Sequence, residues 1–210
     1  MEFLPGTPLG FELNLANSEE AVFISKQIRN FFSNLFNLSS FDNYDETISK
    51  LRNKILVMRS TMNSHDLLIR KSFDFLLVNV HSLYMPVGWN HGDLSLENII
   101  VIGDDKSLYF LDFLDSPIET PMIDIARILL DLDHGWWGNN LKSTATWETN
   151  RLLVIREINL FLADHNIDKK SVDFFSIFAA LRVLPYTRSP VRIGYLKTSL
   201  SKIMERNNYY

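Results

Sequence analysis

One stretch constrains this chain more than any other: His91-Gly92-Asp93-Leu94-Ser95-Leu96-Glu97-Asn98, followed by Leu111-Asp112-Phe113. A carboxylate (Asp93) stands five residues before a carboxamide (Asn98), and a second carboxylate (Asp112) ends the next apolar run. Between them lie a β-branched run (Ile99-Ile100-Val101-Ile102), a turn cluster (Gly103-Asp104-Asp105-Lys106) and a second apolar run (Leu108-Tyr109-Phe110-Leu111). That pattern predicts a tight β-hairpin, and such a hairpin returns Asp112 beside Asn98. The three residue types suit phosphoryl transfer from a nucleotide. One carboxylate orients the attacking hydroxyl and accepts its proton, while an amide oxygen and a second carboxylate hold Mg²⁺ against the phosphates. Asp93 is therefore the candidate base, and Asn98 and Asp112 are the candidate Mg²⁺ ligands, since that ion takes oxygen donors. Plainer roles remain open: Asp93 as a turn former, Asn98 as a hairpin cap, Asp112 as a strand end.

The motif resembles that of the protein-kinase-like superfamily, and most nearly its aminoglycoside/choline phosphotransferase branch. Those proteins carry His-Gly-Asp-x-x-x-x-Asn, then an apolar strand ending in Asp-Phe or Asp-Trp, then a Pro-x-x-Asp-hydrophobic-Ala pattern. Here Pro121-Met122-Ile123-Asp124-Ile125-Ala126 stands at the last place. The resemblance covers residues 91–130 most closely and implies ATP and Mg²⁺ as cofactors and a small-molecule hydroxyl as acceptor. It implies that Asp124 is a buried carboxylate accepting hydrogen bonds from the catalytic-loop backbone, that His91 braces the loop, and that Ile100 and Leu111 floor the adenine site. Ser95 takes the place of a residue that meets the transferred phosphate. It departs from the lysine or histidine usual there and brings no charge.

A weaker likeness lies at the N-terminus. Met1 to Leu9 resembles the hinge between the two lobes of these enzymes, which makes Phe3 and Leu4 candidate contacts to the adenine edge. A phosphate-cradling loop needs closely spaced glycines after a strand. Before residue 88 the only glycines are Gly6 and Gly10, and Lys26, Lys50, Lys54 and Lys71 all fall in helix-like stretches. The expectation is a large C-terminal lobe spanning residues 1–210, with a hinge-like segment at 1–10, a catalytic and metal-binding segment at 91–115, and the small lobe absent. A partner chain supplying that lobe follows as a further expectation.

Outside the hairpin the chain reads as helix. Asn17-Ser18-Glu19-Glu20 has the form of an N-cap with an acidic first turn. Apolar residues then recur at helical spacing from Val22 to Phe36. Further helices are predicted over 44–58, 65–83 (capped by Ser64, and apolar enough to be central), 121–132, 147–164, 171–184 and 191–206. The fold class is thus mainly α (α+β), a kinase-like lobe in which a helical bundle carries one small hairpin. Two hundred and ten residues suffice for one domain. A net charge of −4 argues against a nucleic-acid binder. No apolar run approaches a membrane span, no signal peptide is visible, and the absence of cysteine excludes disulfides. A cytoplasmic protein without nucleic-acid or membrane partners is the default.

Several residues carry two readings. Asp115 is either a supporting ligand or a turn residue. Trp136-Trp137 either binds substrate or packs inward. Arg182, Arg188, Arg192, Lys197, Lys202 and Arg206 face an acidic partner or form a solvated helix face. Function also divides. One reading is an ATP- and Mg²⁺-dependent phosphotransferase, weak without its small lobe. The alternative is a non-catalytic kinase-like remnant or interaction module that pairs with another chain. A metal-dependent hydrolase using His91, Asp93 and Asp112 is more distant.

Overall fold

In the computed structural model the described residues are 5–114, 116, 118–133 and 144–209. Phe3, Leu4, Asp115 and the Trp136-Trp137 segment lie outside them. The chain is mainly helical with one small antiparallel sheet, as its periodicity predicts. A two-residue strand β1 (Thr7–Pro8) leads directly into α1 (Leu9–Leu15), and α2 (Ser18–Asn37) follows after a sharp corner. The Asn17 side chain accepts from the Glu19 and Glu20 amides while the Glu20 carboxylate accepts from the Asn17 amide. This reciprocal cap satisfies donors that the first turn leaves unpaired. Then come α3 (Tyr44–Met62), α4 (Leu67–Asn79), β2 (Ile99–Ile102), β3 (Ser107–Phe110), α5 (Met122–Asp133), α6 (Ala145–Asp164), α7 (Lys169–Val183) and α8 (Pro190–Arg206).

Three features depart from the sequence expectation. The cap of α4 is Asp66, which accepts from the Leu68 and Ile69 amides, rather than Ser64, which instead takes the Asp66 amide. A Ser two residues earlier cannot reach the first-turn donors of a helix that starts at Leu67. The central helix is α7, not α4. Every residue of α7 from Ser171 to Leu181 is buried, and α7 packs on α3, α4, α5 and α8. By contrast α4 leaves Leu67 and Val78 63% and 68% exposed. A helix apolar on all sides belongs in the interior. The polar residues of α7 are satisfied there. Asp173, for example, holds the Arg206 guanidinium at 2.5 Å and the Asn207 amide at 2.9 Å.

The third departure is the sheet. The hairpin gains β1 as a third strand, in the order β1-β2-β3, with Thr7 opposite Val101 and Ile99 opposite Phe110. Strand β1 sits within the stretch read as hinge-like. Alternation divides the hairpin into two faces. Ile99, Val101 and Phe110 turn toward the helices, and the Phe110 ring stacks on Phe31 of α2 at 4.0 Å. Ile100 and Tyr109, opposite one another, share the outer face. The turn is tied down by Lys106, whose ammonium reaches Glu12 at 2.6 Å and Glu20 at 3.4 Å while its carbonyl accepts from Gln27. Gly6 lets β1 approach. A Cβ there would lie 2.3 Å from Ile100 Cγ2 and 2.8 Å from the Val101 carbonyl.

Gly6→Ala is therefore expected to pry β1 from the hairpin, lowering the melting temperature and accelerating amide exchange at Thr7 and Val101. Unchanged exchange at both would show that β1 does not depend on this close approach.

Candidate active site

The loop between α4 and β2 holds the motif, and α5 fixes its shape. The Asp124 carboxylate accepts from the His91 amide at 2.5 Å and the Gly92 amide at 3.0 Å. One turn on, Arg127 donates from Nε to Asp93 Oδ1 at 3.1 Å. Its Nη1 holds Asp131 Oδ1, and Asp131 Oδ2 accepts from the Leu96 amide at 2.9 Å. Asp124, Arg127 and Asp131 stand at i, i+3 and i+7, one stripe of the helix. From α7, Arg182 donates to the Gly92 carbonyl at 2.7 Å and lies 3.9 Å from Asp93 Oδ1. The expectation that Asp124 is buried and braces the loop is met. Arg127, Asp131 and Arg182 were not anticipated as part of it. Charged residues at three- and four-residue spacing on an otherwise apolar helix were the available signal.

Within the loop, Ser95 N donates to the Asp93 carbonyl, Asn98 N donates to the Ser95 carbonyl, and Asn98 Nδ2 donates to the Asp93 carbonyl at 2.9 Å. That last bond commits the Asn98 amide nitrogen to the loop, and its side-chain oxygen accepts no hydrogen bond among the described residues. The Leu111 amide donates to the Asn98 carbonyl at 2.9 Å, extending the hairpin one pair further and setting Asp112 next to Asn98 along the chain path. Asp112 itself is exposed, has φ of 56°, and makes no hydrogen bond or ion pair among the described residues. A non-glycine residue in that region costs on the order of 1 kcal/mol and is tolerated where the surroundings enforce it. Gly92 also needs positive φ (83°), and a Cβ on it would lie 2.7 Å from the Leu114 carbonyl.

The remaining candidates fall as follows. Ser95 is buried and lends its backbone to the turn. Ile100 lies on the outer hairpin face but is only 9% exposed, because Gly6 closes over it. Leu111, two residues after Tyr109, continues that face and is half-buried. His91 is fully buried, and its ring packs on Phe113 at 4.3 Å. Neither ring nitrogen makes a hydrogen bond among the described residues. Burial holds its pKa below the ordinary value, against a partial opposing pull from the Leu111 carbonyl nearby. The side chain contributes packing against Phe113, while the His91 backbone amide is what bonds Asp124. Among the described residues no three His, Asp or Glu side chains gather as a metal cluster. A cation held by Asn98 and Asp112 would complete its shell with phosphate oxygens and water, as Mg²⁺ does.

A model of the phosphotransferase enzyme family matches residues 1–151. The chain belongs to that family. A comparison with curated protein sequences found no match. The matched span of this phosphotransferase includes the whole motif loop, the hairpin and α5. Among the described residues no helix is long and apolar enough to cross a membrane.

Two predictions follow from the α5 stripe. Burial raises the Asp124 carboxyl from 3.8 to about 7, although the His91 and Gly92 amides and the Arg182 charge pull it down. A group with a raised folded pKa keeps its proton longer in the folded state. Its stabilising contribution is complete below about pH 4 and is lost as pH rises toward 7, by roughly 4 kcal/mol at most. Burial raises Asp131 in the same direction. Urea melts at pH 5 and pH 7.5 should therefore show a loss of stability that is smaller in Asp124→Asn; an equal loss in both proteins contradicts the assignment. Second, Arg127→Met removes the partner of fully buried Asp131. Leaving one half of a buried pair costs about 3–5 kcal/mol, so a large drop in denaturation midpoint is expected, relieved in part by Arg127→Met/Asp131→Leu.

Proposed function

We propose that this phosphotransferase is of the aminoglycoside/choline type and moves the γ-phosphate of ATP to the hydroxyl of a small molecule. Asp93 would act as base, and Asn98 and Asp112 would hold Mg²⁺. The observation that carries this reading is the division of labour on the Asp93 carboxylate. Oδ1 is held by Arg127, while Oδ2 has no partner among the described residues and is free to take a hydroxyl proton. A base must be held in place and still offer an open acceptor. The donor set also fits the metal. Among the described residues the Asn98 side-chain oxygen has no partner beside the Nδ2 bond to the loop, and the exposed Asp112 carboxylate makes no ion pair. Bound there, Mg²⁺ would neutralise charge developing on the phosphate oxygens.

The residues of the chain do the rest by position. The loop bonds from α5 and Arg182 keep Asp93 oriented, and Asn98 locks the loop onto the hairpin. Catalysis of this kind is mostly positioning and charge stabilisation. The outer hairpin face with Ile100 and Leu111 would lie under adenine, and Phe3 and Leu4 would meet its edge. The glycine-rich loop and strand lysine that grip phosphates in related enzymes have no counterpart in the 210 residues. We propose that another polypeptide segment supplies them, so nucleotide binding by this chain is expected to be weak.

The test is calorimetric titration with ATP at millimolar levels, with and without Mg²⁺, on the wild type and on Asp112→Gly. Glycine accepts the positive φ at 112 without strain, so the variant removes the carboxylate and keeps the backbone. Mg²⁺-dependent binding in the wild type, weakened at least tenfold by Asp112→Gly at unchanged melting temperature, is the expected result for losing a ligand to the ion. No binding by a folded wild type, or Mg²⁺-dependent binding indifferent to Asp112→Gly, would overturn the assignment.

A further inference from the structure

A hollow of about 170 Å³ opens beside the motif loop, lined by Lys54, Gly92, Leu114, Ile123, Phe178 and Arg182, among others. Its floor is apolar, since Ile123 and Phe178 are buried core residues. Its rim is cationic. Arg182 joins the rim to the catalytic loop, bonding the Gly92 carbonyl and lying 3.9 Å from Asp93 Oδ1. Lys54, exposed on α3, makes no ion pair or hydrogen bond among the described residues. Among the described acids near the loop, Asp93 is held by Arg127 and Asp124 is buried against the loop amides, while Glu119 lines the adjoining hollow. A free ammonium at the mouth of an apolar pocket beside a catalytic carboxylate calls for an anion on the molecule that fills it.

We infer that the acceptor of this phosphotransferase is a small hydroxylated anion, its carboxylate or phosphate set against Lys54 with Arg182 behind it and its hydroxyl turned to Asp93. This rests on the phosphotransferase reading above and names its substrate class. The hollow has room for an acceptor of a few carbons, and it shares Leu114 and Ser116 with a larger hollow of about 380 Å³ lined also by Trp89 and Phe113.

The probes are glycerate and glycerol, which differ by the carboxylate alone, measured by ligand-observed NMR against the full 210-residue chain. Glycerate is expected to bind measurably tighter than glycerol. Lys54→Met should weaken glycerate by about tenfold, the scale of one charge-assisted hydrogen bond, and leave the affinity for Mg²⁺-ATP unchanged. Lys54 is exposed, so the variant should fold, and an unaltered melting curve checks this. Equal binding of the two probes, or no binding of glycerate, overturns the inference. So does a loss of ATP affinity in Lys54→Met, which would assign the ammonium to the nucleotide phosphates. Selective glycerate binding by a folded chain that binds no Mg²⁺-ATP would keep the anion pocket and sink the phosphotransferase reading instead.

Discussion

The stripe Asp124-Arg127-Asp131 on α5 is the interaction on which the rest of the site depends. Three charged side chains, all buried, face a loop of irregular backbone. Irregular backbone under protein must find partners for its amides or suffer the cost of leaving them unpaired. Here the amides of His91, Gly92 and Leu96 find them on two carboxylates of one helix. The carboxylates in turn would be costly alone, and Arg127 pairs with Asp131. Removing one member strands the others, so the loop's shape and the helix's stability form one problem. Helix α5 is itself held between α6 and α7, which ties the loop geometry to the aromatic core.

The hairpin solves a related problem by different means. It presents two residues, Asn98 and Asp112, side by side at its open end, one just before β2 and one just after β3. Its inner face is anchored by Phe110 on Phe31, and its tip by Lys106 between Glu12 and Glu20. With both ends fixed, the backbone after β3 turns through a left-handed residue at Asp112. A strained backbone in an exposed carboxylate is retained only where neighbouring structure enforces it. The Leu111 bond to Asn98 on one side and the Leu114 bond to His91 on the other do so.

How much of this was readable beforehand follows from range in sequence. The motif was readable because its chemistry demands residue types at short spacings, and the hairpin because Gly103-Asp104 lies between β-branched and aromatic runs. Most helices were readable from periodicity, their ends differing by a few residues. Helix α1 was missed: at seven residues it is shorter than two full turns, and it begins straight after Pro8. Strand β1 was missed because two residues carry no alternation; its pairing partner lies more than ninety residues away. The central place of α7 over α4 was missed for a similar reason. Both are rich in apolar residues, and only the neighbours decide which one is surrounded. Arg127 and Asp131 escaped because their partners, Asp93 and Leu96, are 34 and 35 residues distant. Asp124 was found only because a resemblance pointed to it.

The Arg127 contact to Asp93 bears on how Asp93 would serve as the proposed base. A guanidinium on one oxygen fixes the direction in which the carboxylate points. Phosphoryl transfer through a loose transition state asks for little more. Bond formation to the attacking oxygen lags, and its proton is given up late. What the carboxylate would then supply is direction, holding the hydroxyl in line. With Oδ1 clamped by Arg127 and Oδ2 without a partner among the described residues, Asp93 would meet that demand.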